Sequence, residues 1–242
     1  MIILIAGAAF VSTLLGGLFA LKLKDKLHLI LGFSAGAVIA VAFFDLMPEA
    51  IKLGSQFYDV GAILMVTALG FFAYLVLDRL IFLHAHADDR EEEHGHRPER
   101  GILGAASLCI HSFLDGVAIG LAFQVSAAIG AIVTVAVLTH DFSDGINTVS
   151  LILKNDGGRR QAMRFLIADA LAPILGAAST MLFTVPERGL SNILALFAGF
   201  FLYIGASDLI PESHHAHPKM LTTVMTLLGA AVLYAAIRFA GV

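Results

Sequence analysis

At 242 residues, with 58% hydrophobic and only 14% charged residues and a mean hydropathy of +0.87, the chain is too apolar for a water-soluble domain of its length. The net charge of −4 arises from charges scattered through short loops rather than gathered on one face, which excludes a nucleic-acid-binding surface. A single cysteine, Cys109, excludes an internal disulfide, and its apolar setting makes it a small buried hydrophobe rather than a metal thiolate.

The composition predicts an all-α integral membrane protein, with residues 1–242 forming one transmembrane domain. Charged clusters and turn residues divide it into eight predicted spans near 2–21, 28–51, 60–83, 101–123, 127–153, 162–185, 189–212 and 219–240. The first, MIILIAGAAFVSTLLGGLFAL, has no basic leader and is followed by KLKDK, so it is predicted to stay as a span rather than be cleaved. Span two ends in DLMPE, which sets Asp45 and Glu49 one turn apart with Pro48 between them. After span three comes the one long polar insertion, HAHADDREEEHGHRPER, residues 84–100. Its composition describes a solvated, disordered linker, to which His84, His86, His94 and His96 add a weak metal-collecting capacity.

Span four carries CIHSFLDGVAIG and span five carries LTHDFSDGINTV, so His-x-x-x-Asp-Gly occurs twice: His111 with Asp115, and His140 with Asp144. On a helix, positions i and i+4 share a face, so each span offers an imidazole and a carboxylate pointing the same way. The short QVS turn makes the two spans an antiparallel hairpin with both motifs at mid-helix, where the four groups meet at similar depth. Two neutral nitrogens and two carboxylate oxygens form a ligand set that a divalent cation such as zinc accepts. Without a partner each ionised group would cost ~2.5 kcal/mol or more at the centre of a membrane helix. In span six, Asp169 either lines a path or caps the start of the span near Arg164. Span seven ends in DLIPE, with Asp208 and Glu212, followed by His214, His215 and His217.

The two Asp-Leu-x-Pro-Glu copies lie five spans apart, an odd number, so they run in opposite directions through the bilayer. Spans one to three and six to eight are therefore predicted to form an inverted repeat with four and five between them, a 3+2+3 arrangement. Twelve of the 15 basic residues fall in the loops after spans one, three, five and seven, which predicts both termini outside and the 84–100 loop in the cytoplasm. Asp45 and Glu49 then mark an outer entrance, and Asp208, Glu212, His214, His215 and His217 an inner exit. Pro48 and Pro211 are expected to break their helices and free carbonyls.

At these motifs the chain resembles the ZIP family of divalent metal transporters, in its short bacterial and archaeal form, over essentially all eight spans. The family's His-x-x-x-Glu type motif on span four and a related one on span five are matched by His111, Asp115, His140 and Asp144. The resemblance places a second, adjacent metal position at Ser112 and Asp141, where many relatives have Asn and Asp. An acid that many relatives carry before the span-six proline is Ala172 here, with Asp169 one turn away. Serine is the poorer ligand, so one well-formed site is expected. Aspartate in place of glutamate shortens each reach by one methylene, and Gly116, Gly120 and Gly145 are expected to let the hairpin pack closely. The resemblance implies import of Zn(II), with Fe(II) and Mn(II) as alternatives, by an elevator-like or rocking motion in a prokaryotic plasma membrane. The metal is then transported ligand, and no catalytic cofactor is expected.

A membrane-embedded zinc hydrolase is the alternative from another class, but the chain has no HExxH motif and no spare mid-membrane glutamate to act as base. The expected partners are the metal and the lipid bilayer, and the sequence is compatible with a homodimer. Deleting residues 86–97 should leave metal uptake into proteoliposomes largely intact, since the loop lies outside the spans and cannot pack a core. Complete loss of uptake, with the protein still in the membrane, would make the loop part of the mechanism.

Overall fold

With no water in a bilayer interior, each backbone N–H and C=O must be satisfied within its own segment, and a helix does this. The computed structural model describes residues 2–20, 27–86, 98–215 and 220–240, and among these all regular structure is helical. Helix α1 is Ile2–Ala20, α2 is residues 27–54, α3 is Val60–His86 and α4 is Pro98–Val125. Next come α5, Ala127–Lys154, and α6, Arg159–Ser179, which closes in a 3-10 turn, Thr180–Leu182. The last two are α7, residues 187–215, and α8, Met220–Ala240. Helices α2 to α8 are long and apolar enough to cross a membrane, and α1 contributes a shorter apolar stretch, Ile5–Ala20.

The predicted linker is shorter than residues 84–100. Helix α3 runs on through His86, so His84 and His86 sit on a helix end, and Pro98 opens α4 from a position where its missing N–H costs nothing. His94 and His96 lie outside the described residues. The hairpin turn is tight because the Ser126 hydroxyl oxygen accepts the Ile129 N–H at 3.1 Å and caps α5. Asp156, with φ of 59°, turns the chain between α5 and α6.

Pro48 and Pro211 do not break their helices. In α2 the coil widens to a π-helical stretch over Ala42–Leu46 and resumes at Met47–Gly54. In α7 it widens over Ile204–Leu209 and resumes at Ile210–His215. The Met47 N–H donates to the Ala42 carbonyl and the Ile210 N–H to the Gly205 carbonyl, five residues back in each case. The wider turn lets each helix continue through its proline.

Helices α1, α4, α5 and α6 pack together, as do α2, α3, α7 and α8, and the two groups meet where α5 lies on α2 and α4 touches α3 and α7. Glycines set the closest approaches, but not those expected. A Cβ on Gly116 would collide with the Pro173 carbonyl and one on Gly120 with the Thr180 side chain, both at the α6 end of the fold. A Cβ on Gly145 would collide with the Thr13 carbonyl on α1. Gly116 and Gly145 each directly follow a motif aspartate and so lie about 100° around the helix from it. Each therefore brings a flanking helix up to the hairpin and leaves the hairpin's own interface to the His and Asp side chains.

Gly145→Leu is expected to destabilise the purified protein by about 1–3 kcal/mol or more, because a backbone carbonyl cannot swing aside as a side chain can. Gly7→Ala, where a Cβ would meet nothing within 4 Å, is the control. Melting temperatures in detergent check the pair, with equal values counting against the packing argument.

Candidate metal centre

Helices α4 and α5 run antiparallel from the Ser126 turn, and the i, i+4 spacing aims all four motif side chains into their interface. His111, Asp115, His140 and Asp144 are buried, and one donor atom from each lies within 4.8 Å of the others. Asp115 Oδ2 is 3.1 Å from His111 Nε2 and 3.3 Å from His140 Nε2. Asp144 Oδ2 is 3.6 Å and 3.9 Å from the same two nitrogens. A tetrahedral ion with bonds of about 2.1 Å needs neighbouring donors about 3.4 Å apart, a value these four spacings bracket.

The imidazoles are oriented by their far nitrogens. His140 Nδ1 is 3.1 Å from the Ala136 carbonyl, which can only accept, so Nδ1 carries a proton and Nε2 is the nitrogen that faces the carboxylates and, in the neutral ring, would be the one to bind an ion. His111 Nδ1 is 2.8 Å from the Tyr74 hydroxyl on α3. Two ionised carboxylates with two neutral imidazoles make a doubly negative cage, the complement of a divalent cation.

Beside the cage, Ser112 Oγ donates to Asp169 Oδ1 at 2.7 Å and Thr148 Oγ1 donates to Asp169 Oδ2 at 2.8 Å. Both oxygens of this buried carboxylate are thus satisfied, and α4, α5 and α6 are joined through it. Asp169 does not cap its helix, because α6 begins ten residues earlier at Arg159. Asp141 is also fully buried, and among the described residues neither of its carboxylate oxygens has a hydrogen-bond partner.

Of the expected path residues, Asp45 is buried with both oxygens lacking a hydrogen-bond partner among the described residues, and Glu49 Oε2 is 3.1 Å from Lys52 Nζ. Asp208, Glu212, His214 and His215 sit on the last stretch of α7, with side chains outside what is described, and His217 lies outside the described residues. Sequence reasoning missed Thr148 and Tyr74. Thr148 carried a usable signal, since it follows Asp144 by one turn on the same face. Tyr74, one aromatic among many in an apolar span, carried none.

A family model for the ZIP zinc transporter matches residues 84–236. The chain belongs to the ZIP family. It is 25% identical over 240 residues to the zinc transporter ZupT of Enterobacter sp. (strain 638), an alignment covering 95% of this chain and 92% of that protein. It is 25% identical over 195 residues to the zinc transporter ZIP13 of Pongo abelii, covering 76% of this chain and 57% of that one. Against the zinc transporter SLC39A7 of Canis lupus familiaris it is 28% identical over 143 residues, 55% of this chain and 30% of the relative. The chain thus spans between about a third and somewhat over half the length of these two animal ZIP proteins.

Thr148→Val keeps the shape of the side chain but leaves Asp169 Oδ2 without its donor inside a buried site. A loss of about 1–3 kcal/mol is expected, read as a lower melting temperature of the purified ZIP protein. An unchanged melting temperature would mean that Asp169 does not depend on this bond.

Proposed function

We propose that the chain carries divalent metal cations across a membrane, zinc foremost and Fe(II) or Mn(II) as alternatives, with His111, Asp115, His140 and Asp144 as ligands of the transported ion. The observation that carries this is the buried cluster of four donor atoms, all within 4.8 Å of one another, in the middle of an apolar hairpin. Membership of the ZIP family and the near full-length likeness to a bacterial zinc transporter support it. The hydrolase alternative needs an open metal position for water, and here the fourth corner is taken by a carboxylate.

The whole of residues 1–242 acts as one transport unit, built as an inverted repeat of α1–α3 and α6–α8 around the α4–α5 hairpin. Support comes from the glycine contacts, which occur in swapped pairs. Gly116 on Pro173 corresponds to Gly145 on Thr13, and Gly176 on Phe113 to Gly16 on Phe142. Likewise Gly36 on Thr226 corresponds to Gly199 on Thr67, and Gly229 on Phe33 to Gly70 on Leu196. The matching π-helical widenings at the two Asp-Leu-x-Pro-Glu motifs add to the correspondence. Such two-sided symmetry suits alternating access. In the cycle the group α1, α4, α5 and α6, which holds the ion, shifts against α2, α3, α7 and α8.

Asp45 and Glu49 draw the hydrated ion in from the outer side, the four cage groups replace its water, and Asp208, Glu212, His214, His215 and His217 receive it on the cytoplasmic side. One well-formed site is the reading favoured, and Ser112, Asp141 and Asp169 would flank any second cation beside it. The setting is a prokaryotic plasma membrane with both termini outside, lipid on the outer helix faces, and a homodimer as the assembly.

Alanine at His111, Asp115, His140 or Asp144 is expected to abolish saturable uptake into sealed proteoliposomes at normal protein levels, with several ions measured in competition. Normal uptake in two or more of these variants would sink the proposal.

A further inference from the structure

His111 lies on α4, yet its far nitrogen is touched by a group from α3. The Tyr74 hydroxyl is 2.8 Å from His111 Nδ1, and the two rings meet edge-on with centroids 5.9 Å apart. Tyr74 is itself held from two sides. Its ring packs against Phe200 at 5.4 Å and Tyr203 at 5.3 Å, and the Tyr203 hydroxyl donates to Asp78 Oδ2 at 2.8 Å, tying α7 to α3. A phenol fixed in this way does not follow the imidazole; the imidazole follows it.

The orientation matters because a histidine ring turns about two bonds, and here it brings Nε2 to 3.1 Å from Asp115 Oδ2 and 3.6 Å from Asp144 Oδ2. His140 is oriented by its own helix, through the Ala136 carbonyl. In the place of that carbonyl, His111 has Tyr74. We infer that Tyr74 is a positioning residue for the metal centre: its hydroxyl oxygen accepts the Nδ1 proton of His111, fixes the tautomer with a bare Nε2 and aims that nitrogen at the ion. The inference rests on the reading of His111 as a ligand of the transported cation. It also makes one member of the cage answer to the opposite helix group, since α3 and α4 lie on different sides of the boundary between the two groups.

Tyr74→Phe keeps the ring and its packing on Phe200 and Tyr203 and removes only the hydroxyl. In the purified full-length protein, zinc affinity by equilibrium titration is expected to fall about tenfold or more. In proteoliposomes the apparent KM for zinc rises in step while the maximal rate stays near that of the parent. A residue serving packing alone would instead lower the melting temperature and leave the affinity of the folded protein unchanged. In a His111→Ala background the same substitution should add no further loss, because the hydroxyl acts only through that ring. Unchanged zinc affinity in folded Tyr74→Phe protein, or an equal further loss in the His111→Ala background, overturns the assignment. If the parent protein binds zinc and Tyr74→Phe binds it equally well, the role of Tyr74 alone fails. If the parent binds no divalent cation, the ligand reading fails and the role of Tyr74 with it.

Discussion

One carboxylate oxygen, Asp115 Oδ2, lies against two imidazole nitrogens on different helices, at 3.1 Å and 3.3 Å, and the arrangement around it is dictated by the cost of charge away from water. An ionised side chain at the centre of a membrane helix costs ~2.5 kcal/mol or more without a partner, and this hairpin carries two such groups within one cage. A divalent cation between the two carboxylates would offset that cost and cancel their repulsion. That solution requires both motifs at the same depth, on facing sides of antiparallel helices, and sealed by neighbours. The capped turn at Ser126 sets the depth, and the flanking helices supply the seal.

The seal depends on backbone meeting backbone. Lipid tails are as apolar as leucine, so helices in a bilayer gain by close van der Waals approach rather than by leaving water. At Gly116 and Gly145 the neighbouring carbonyls stand where a Cβ would be, and each glycine directly follows a cage aspartate in sequence. The residue that positions the ligand and the residue that admits the covering helix are thus consecutive. A substitution at either motif glycine therefore disturbs packing and metal geometry together, which is why a thermal measurement and a binding measurement separate less cleanly there than at Tyr74.

Much of this was legible in the residues because its causes are local. The eight helices follow from apolar runs, the shared face of His111 and Asp115 follows from helical spacing, and the antiparallel pairing follows from a short turn, which the structure narrows from QVS to Ser126 alone. Contacts between distant spans left weaker traces. The glycines after each aspartate announced close packing but not the partner, since spacing alone does not say which flanking helix lies about 100° around. The prolines announced a departure from α-helix, yet spacing did not say that it would take the form of a π-helical widening just before each proline rather than a break. Tyr74 left no trace at all, because its role exists only once α3 is laid against α4.

The cage and its surroundings also differ in how their lone pairs are used, and this bears on the proposed second cation. Asp169 has both oxygens engaged by the hydroxyls of Ser112 and Thr148, so a cation there would have to displace bonds already made. Asp141, equally buried, has no hydrogen-bond donor on either oxygen among the described residues. Ser112 gives its proton to Asp169, and a hydroxyl that donates still keeps oxygen lone pairs to offer. A second ion would therefore be drawn first to Asp141, with Ser112 as a weak neutral partner and Asp169 acting at one remove by polarising that hydroxyl. Such a position would have fewer strong donors than the two-histidine cage, so it would fill after the cage and empty before it.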